Sequence, residues 1–272
     1  MGKILKGILD LRFAMNRIER LFKEKKKNIL SVFFTAGFPS LNDTILMAQQ
    51  LEKSGVDLIE IGIPFSDPIA DGPTIQQSNK VALDNGMTVK LLLEQVREIR
   101  KTVSLPIILM GYLNPVLQYG MEKFCTEASS CGIDGLILPD MPMEEYVNDY
   151  KGLLDSLNLS FTFLISPTTS ESRIRKIDEV SSGFIYAVSS SSTTGAKGDF
   201  TNDQKGYFNK IKSMSLKNPF LIGFGISTHD TFSTACQYGS GVIVGSSFIN
   251  VLKSTKNLST DITAFVASIR KG

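Results

Sequence analysis

Residues 56–76 read "VDLIEIGIPFSDPIADGPTIQ", and the fold turns on how this stretch is understood. Its first half, 56–63, has the length and the β-branched content of a buried strand, yet it carries a glutamate, Glu60. Desolvating a carboxylate without a partner costs several kcal/mol, so the position must return something for that cost. Alternation says where the side chain points. Ile59, Ile61 and Ile63 share one face; Leu58, Glu60 and Gly62 share the other. In a closed sheet the first face meets surrounding helices and the second meets the barrel axis. The second half is stiffened by Pro64, Pro68 and Pro73, with Gly72 permitting a tight bend, and it holds Asp67 and Asp71.

Outward from this segment, similar runs recur at 29–37, 106–112, 132–140, 160–166, 183–189, 219–226 and 241–247. They are almost continuously apolar, as parallel strands covered on both faces require. Amphipathic segments fall between them at 41–54, 88–101, 121–130, 144–157, 171–181, 203–214, 229–238 and 260–270. Several end at a glycine before the next strand, as in "KSGVD", "SCGID" and "SSGFI", the left-handed stop that helix C-termini favour. Eight such βα units predict an α/β fold, a (β/α)8 TIM barrel, rather than a doubly wound sheet, whose G-x-G-x-x-G fingerprint the first turn lacks. Segment 11–26 is expected to add an N-terminal helix closing the barrel's bottom. Residues 15–272 would form the single barrel domain and 1–14 an N-terminal extension, because "MNRIERLF" (15–22) resembles a natural chain start.

Composition narrows the function. A net charge of +2, with Lys23, Lys25, Lys26 and Lys27 as the one basic run, gives no electrostatic footprint for nucleic acid. No apolar run reaches the ~20 residues of a membrane span. The N-terminus is broken by Lys3, Lys6, Asp10 and Arg12, unlike a signal peptide, so a cytoplasmic protein is expected. Cys125, Cys131 and Cys236 form no C-x-x-C pair and read as reduced core thiols. One histidine, His229, is too few for a catalytic zinc site, and no metal is expected.

In such a barrel the active site lies at the C-terminal ends of the strands. Burial there raises a carboxyl pKa towards neutrality, which fits Glu60 to give and take a proton at pH 7. The proline-stiffened loop presents Asp71 with little entropy left to lose. Asp67, before Pro68, and Asp140, at another strand end, read as turn caps. "GFGIS" (223–227) and "VGSS" (244–247) are small-residue loops opening onto helices after the seventh and eighth strands, where backbone amides bind phosphate. "SSSSTTGAKGDF" (189–200), with Gly195 and Gly198, reads as a lid. Tyr186 just upstream would supply an aromatic wall or a hydroxyl. Two carboxylates, a phosphate cradle and a lid describe acid/base chemistry on a phosphorylated small molecule; isomerisation and carbon–carbon cleavage both fit. A Schiff-base aldolase would want a lysine on an inner strand, and none of the eight runs has one.

"LIEIGIPFSDPIADGPTIQ" strongly resembles the signature of the tryptophan synthase α-chain family. The resemblance runs from about Asn16 to the C-terminus through "TAGFP" (35–39), "ILMGYLNPV" (108–116), "LPDMPMEE" (138–145), "TTGA" (193–196) and "GFGIS". It implies retro-aldol cleavage of indole-3-glycerol phosphate to indole and glyceraldehyde 3-phosphate, in the last steps of L-tryptophan biosynthesis. Glu60 would be the general acid/base and Asp71 the anion beside the indole N–H, with Tyr186 the third catalytic candidate. Phe33, Tyr112, Tyr186 and Phe224 match positions around the indole or its propanol chain. Gly195, Gly225, Gly245 and Ser246 match the phosphate site, to which Gly223 of the same loop is added, and Thr194 matches the lid residue closing over Asp71. The family also implies a pyridoxal-phosphate-bearing β-chain partner in an α2β2 assembly, facing "PFSDP" and "YLNPV", and no cofactor in this chain. The lid departs from the family pattern at Ser190, Ser192 and Thr193, and Met110-Gly111-Tyr112 replaces Met-Thr-Tyr. The altered lid motivates an alternative, a catalytically weak α-type subunit that mainly binds and activates a β chain.

Overall fold

The computed structural model describes residues 15–189, 200–223 and 225–271. Among them nine strand segments form one all-parallel sheet: β1 Ile29–Thr35, β2 Leu58–Gly62, β3 Ile107–Met110, β4 Gly135–Ile137, β5 Ser160–Phe161, β6 Leu164–Ile165, β7 Ile185–Val188, β8 Phe220–Gly223 and β9 Gly241–Val244. Their order is β5-β4-β3-β2-β1-β9-β8-β7-β6. The two ends of this ladder belong to one stretch of chain, since only Thr162 and Phe163 separate β5 from β6. β5 pairs with β4 and β6 with β7, so the predicted fifth strand is present but split, and the sheet closes through it. Backbone bonds cross the break: Thr162 N donates to Leu136 O at 3.1 Å and Tyr186 N to Phe163 O at 3.0 Å. The result is the (β/α)8 barrel.

The alternation read from 56–63 holds. Ile59, Ile61 and Ile63 lie in the large outer core, where the sheet meets the helices. Leu58 packs inside the barrel with Ile29, Ile108, Ile137, Phe184, Leu221 and Ile243. Helix Arg17–Glu24 seals the lower end of this inner core with Ile18, Leu21 and Phe22. Ile18 is pressed so tightly against the sheet that a Cβ on Gly135 would come within 2.9 Å of its Cδ1. Gly55, Gly132 and Gly183 each take a positive φ ahead of their strands, as the glycine stops predicted.

Three helices escape the sequence periodicity: Pro73–Asp84, Leu113–Tyr119 and Ser246–Ser254. The first is anchored by polar groups, which explains its weak apolar pattern. Ser78 and Asn79 are among its buried residues; Ser78 Oγ lies 2.7 Å from Thr35 Oγ1, and Asn79 Oδ1 accepts from Phe65 N at 3.0 Å. The predicted 144–157 helix is interrupted by a π turn, Tyr146–Tyr150, which seats Tyr146 on Phe161 with ring centroids 4.3 Å apart. Cys125, Cys131 and Cys236 are buried and unpaired, and burial raises their thiol pKa values to about 12, 11 and 11.

The bottom of the barrel is tied by two aspartates. Buried Asp134 accepts from Arg17 Nη1 at 2.9 Å, Arg100 Nη2 at 2.5 Å and Ile107 N at 2.8 Å, while its carbonyl accepts from Asn16 Nδ2 at 2.8 Å. Asp57 takes Lys25 Nζ at 2.6 Å, Leu30 N at 2.8 Å and the Arg270 guanidinium, joining the N-terminal helix to helix Leu258–Lys271. Removing one member of a buried ion pair strands the other in low dielectric. Asp134→Ala is therefore expected to lower unfolding free energy by about 3–5 kcal/mol in urea titration, whereas exposed Asp84→Ala should change it by less than ~1 kcal/mol.

Candidate active site

The register of β1 and β2 pairs Phe33 with Glu60 and Thr35 with Gly62 at the upper ends of both strands. Glu60 is completely buried. Its Oε1 accepts from Ser31 Oγ at 2.6 Å, and its Oε2 has no hydrogen-bond partner among the described residues. Burial dominates its ionisation and the Ser31 hydroxyl partly opposes it, leaving the carboxyl pKa at about 7. A group so placed holds comparable amounts of acid and base at neutral pH.

Asp71 sits above, on the loop leaving β2. Its N–H bonds to Pro68 O at 3.0 Å, and its own carbonyl accepts from Gln76 Nε2 at 2.8 Å, which stiffens the turn. Tyr112 at the end of β3 donates to Asp71 Oδ2 at 3.1 Å and accepts from Ala70 N at 3.1 Å, its ring 5.1 Å from that of Phe65. Burial raises the Asp71 pKa and the Tyr112 bond lowers it again. Tyr112 in turn is raised to about 12, by burial first and by the Asp71 charge second.

Tyr186, on β7, reaches across from the far wall. Burial, then the charges of Glu60 and Asp71, push its phenol far above the usual tyrosine range, so it stays neutral and can donate but not act as a base. Its ring fills the space over Gly223, where a Cβ would lie 2.2 Å from Tyr186 Cε2. Phe33 does the same over Gly62, whose Cβ would lie 2.7 Å from its Cζ, and it also borders Gly245. The structure thus brings together Glu60, Asp71, Tyr186, Phe33, Tyr112, Gly223 and Gly245. Thr194, Gly195 and Phe224, with Ser190, Ser192 and Thr193, lie outside the described residues.

The two small-residue loops also converge. Gly225 takes a φ of +76° after β8, close to Ser189. Gly245 is the N-cap of helix Ser246–Ser254 and offers no side-chain cap, so Ser246 opens a first turn whose amides are free to meet an anion. Helices starting at Thr88, Ser170, Thr201 and Thr228 are capped by their own hydroxyls. Ser247 Oγ donates to Ile226 O at 3.0 Å and ties the two loops. Asp67 stays on the loop surface beside Ser66, and Asp140 caps the neighbouring helix by accepting from Leu113 N at 2.9 Å. His229 is used structurally, its Nδ1 3.0 Å from Ile269 O. Among the described residues no group of three or more His, Cys, Asp or Glu is placed to hold a metal ion, and no helix is long and apolar enough to cross a membrane. The residue missed from sequence is Ser31. Its signal was available, since a serine two positions before Phe33 shares that inward face.

A family model described as tryptophan synthase alpha chain matches residues 20–271. The chain belongs to the tryptophan synthase α-chain family. It is 56% identical to the tryptophan synthase alpha chain of Flavobacterium psychrophilum over 94% of this chain and 100% of that one. It is 53% identical to that of Flavobacterium johnsoniae, with the same coverage of each. Among solved structures, tryptophan synthase subunit alpha from Legionella pneumophila superposes with a TM-score of 0.86 at 37% identity, covering 95% of this chain and 98% of that one. Mycobacterium tuberculosis tryptophan synthase gives 0.85 at 28%, covering 94% and 98%.

The raised Glu60 pKa fixes a sign. Between pH 4.5 and about 7 the unfolded chain has lost this proton while the folded chain keeps it, so stability falls as pH rises through that window. Unfolding free energies for the wild type are expected to drop by about 3 kcal/mol more than those of Glu60→Gln between pH 4.5 and 8. Parallel pH profiles would show that the carboxyl is not held protonated.

Proposed function

We propose that this chain cleaves indole-3-glycerol phosphate to indole and glyceraldehyde 3-phosphate, with Glu60 carrying the proton in both directions. The observation that carries this reading is the Glu60 carboxyl itself: buried, anchored through one oxygen, without a partner among the described residues at the other, and with its pKa raised by burial to about 7. The protonated carboxyl delivers its proton to the indole carbon that bears the side chain. The ring nitrogen becomes iminium-like, and Asp71, held by Tyr112, lies where an anion offsets that charge. The resulting carboxylate then takes the proton of the adjacent side-chain hydroxyl. Its oxygen forms the aldehyde, the carbon–carbon bond breaks, and the bonding pair returns to the ring to restore neutral indole. Glu60 ends as it began, so the cycle consumes no external acid or base.

The remaining groups bind and orient. Phe33 and Tyr186 are flat apolar walls suited to an indole, and the neutral Tyr186 hydroxyl adds a donor near Glu60. Gly225, Gly245 and Ser246 would hold the phosphate by backbone amides. That grip positions the reacting carbon, converting remote binding energy into orientation.

A β-chain partner in an α2β2 assembly completes the proposal, with pyridoxal phosphate confined to that partner. Ile69, 87% exposed on the Asp71 loop, and Leu117, 47% exposed on helix Leu113–Tyr119, are apolar side chains beside the mouth that a seated partner would cover.

Glu60→Gln is expected to lower kcat for cleavage by ~10²–10⁴-fold while binding of glycerol phosphate, read by calorimetry, survives; undiminished cleavage would defeat the assignment. Ile69→Asp should weaken binding of a β chain at least ~10-fold, seen by titration in an ultracentrifuge, and leave indole release by the isolated chain unchanged.

A further inference from the structure

Every second residue of β1 faces inward, so Ile29, Ser31, Phe33 and Thr35 form one row. Small parallel barrels fill such positions with apolar side chains. Ser31 is polar and has no exposure, and its register neighbours are Leu58 on β2 and Ile243 on β9, neither of which can bond a hydroxyl. A buried hydroxyl needs a partner, and this one finds Glu60 Oε1 at 2.6 Å.

We propose that Ser31 is a positioning residue for the cleavage reaction, anchoring Glu60 through Oε1 so that Oε2 is the oxygen that gives and receives the proton. The proposal rests on the reading of Glu60 as the proton carrier. Two oxygens of a carboxyl are chemically equivalent until something distinguishes them, and Ser31 does so. When Glu60 is ionised, the hydroxyl donates to Oε1 in a short charge-assisted bond. When Glu60 is protonated at Oε2, Oε1 is the carbonyl oxygen and the same bond persists. The anchor therefore survives both halves of the cycle, and the carboxyl need not rotate between giving its proton to carbon and taking one from oxygen. Meanwhile Oε2 is buried with no partner among the described residues, the expected state of an atom reserved for a substrate.

The titratable groups facing Glu60 are few. Tyr186 on β7 interacts with its charge, and Asp71 and Tyr112 lie further out at the mouth. The neighbouring strands present Phe33 on β1 and Ile108 and Met110 on β3, which do not titrate. Donation by Ser31 favours the ionised form against the burial that opposes it, so removing the hydroxyl has a defined direction.

The test follows the Glu60 carboxyl by infrared difference spectroscopy from pH 5 to 10, with Glu60→Gln identifying its band, alongside pH–rate profiles for indole release. In Ser31→Ala the carboxyl midpoint is expected to rise by about one to two pH units, the shift that loss of a hydrogen bond to a charged group produces. The matching limb of the kcat profile should move with it, kcat at pH 7 should fall ~10-fold, and KM should change less than ~2-fold. Ser31→Thr, which keeps the hydroxyl, should restore midpoint and kcat. Should Ser31→Ala fold poorly, Ser31→Cys preserves volume with a weaker donor and should move the midpoint the same way. An unchanged midpoint in a folded Ser31 variant, with Glu60→Gln still inactive, overturns the role of Ser31 alone. Retained cleavage in Glu60→Gln overturns the reading of Glu60 as well, and the infrared titration then stands as a separate measure of the Ser31 contact.

Discussion

A carboxyl at half-ionisation near pH 7 requires a place from which water is excluded on all sides, and a parallel strand supplies that only if its sheet closes. Closure here depends on a stretch of chain that is least strand-like, 160–165, where the ladder breaks at Thr162 and Phe163 and resumes with a new neighbour. The break lets one segment satisfy β4 below and β7 above. Without it Glu60 would lie on an open sheet, in a solvated environment that leaves a glutamate near its ordinary pKa. The lower plug of Ile18, Leu21 and Phe22 completes the dry interior. Asp134 and Asp57 hold that plug from beneath, so ion pairs at the stable end of the barrel maintain the electrostatics of its reactive end. This division matches the general partition of such barrels into a bottom that stabilises and a top that reacts.

The upper end gathers negative charge, which would be self-defeating if all of it met in one place. Glu60 and Asp71 both have raised pKa values, and the substrate would bring a phosphate. Spatial separation resolves the conflict. The proposed phosphate cradle lies after β8 and β9, at the start of helix Ser246–Ser254 that no side chain caps, where partial positive charge comes from backbone amides. Asp71 is held on the other side by the phenol of Tyr112. Glu60 is fully buried, and any anion at the rim favours its protonated form, the form that the proposed first proton transfer requires.

How much of this was legible in the sequence depends on the range of the interaction. Alternation over 56–63 placed Glu60 inside because inward and outward faces are a property of a few consecutive residues, and glycine stops placed the strand starts for the same reason. The break at Thr162 was not legible, since it records a change of neighbour between β4 and β7, far apart in sequence. Helix Pro73–Asp84 lacked a periodic signal because Ser78 and Asn79 face the sheet. Ser31 shares the legible inward face of Phe33, but its partner Glu60 lies 29 positions away, and Asp134 waits for Arg17 on the N-terminal helix and Arg100 at the end of helix Val89–Ile99. Charge pairs across 117 and 34 positions leave no local pattern. Thr194 and Gly195, read from the sequence as lid and phosphate positions, and Phe224 fall outside what the structure describes.

The walls of the cavity show that two glycines are as much a part of its shape as the aromatics. Tyr186 and Phe33 can lie flat only because Gly223 and Gly62 offer no Cβ; an alanine at either position would meet the rings at 2.2 Å and 2.7 Å. Real Cβ contacts do not occur so close, so each ring would have to rotate out of plane, and a close-packed interior gives it little room to do so. Rotation of Tyr186 would move a hydroxyl that interacts with Glu60 and Asp71, and rotation of Phe33 would disturb its border with Gly245. The glycines therefore couple the apolar walls to the Glu60 carboxyl at one end and the proposed anion site at the other. Their contribution is made through absent atoms, which is why neither a charge pattern nor a periodicity reveals it.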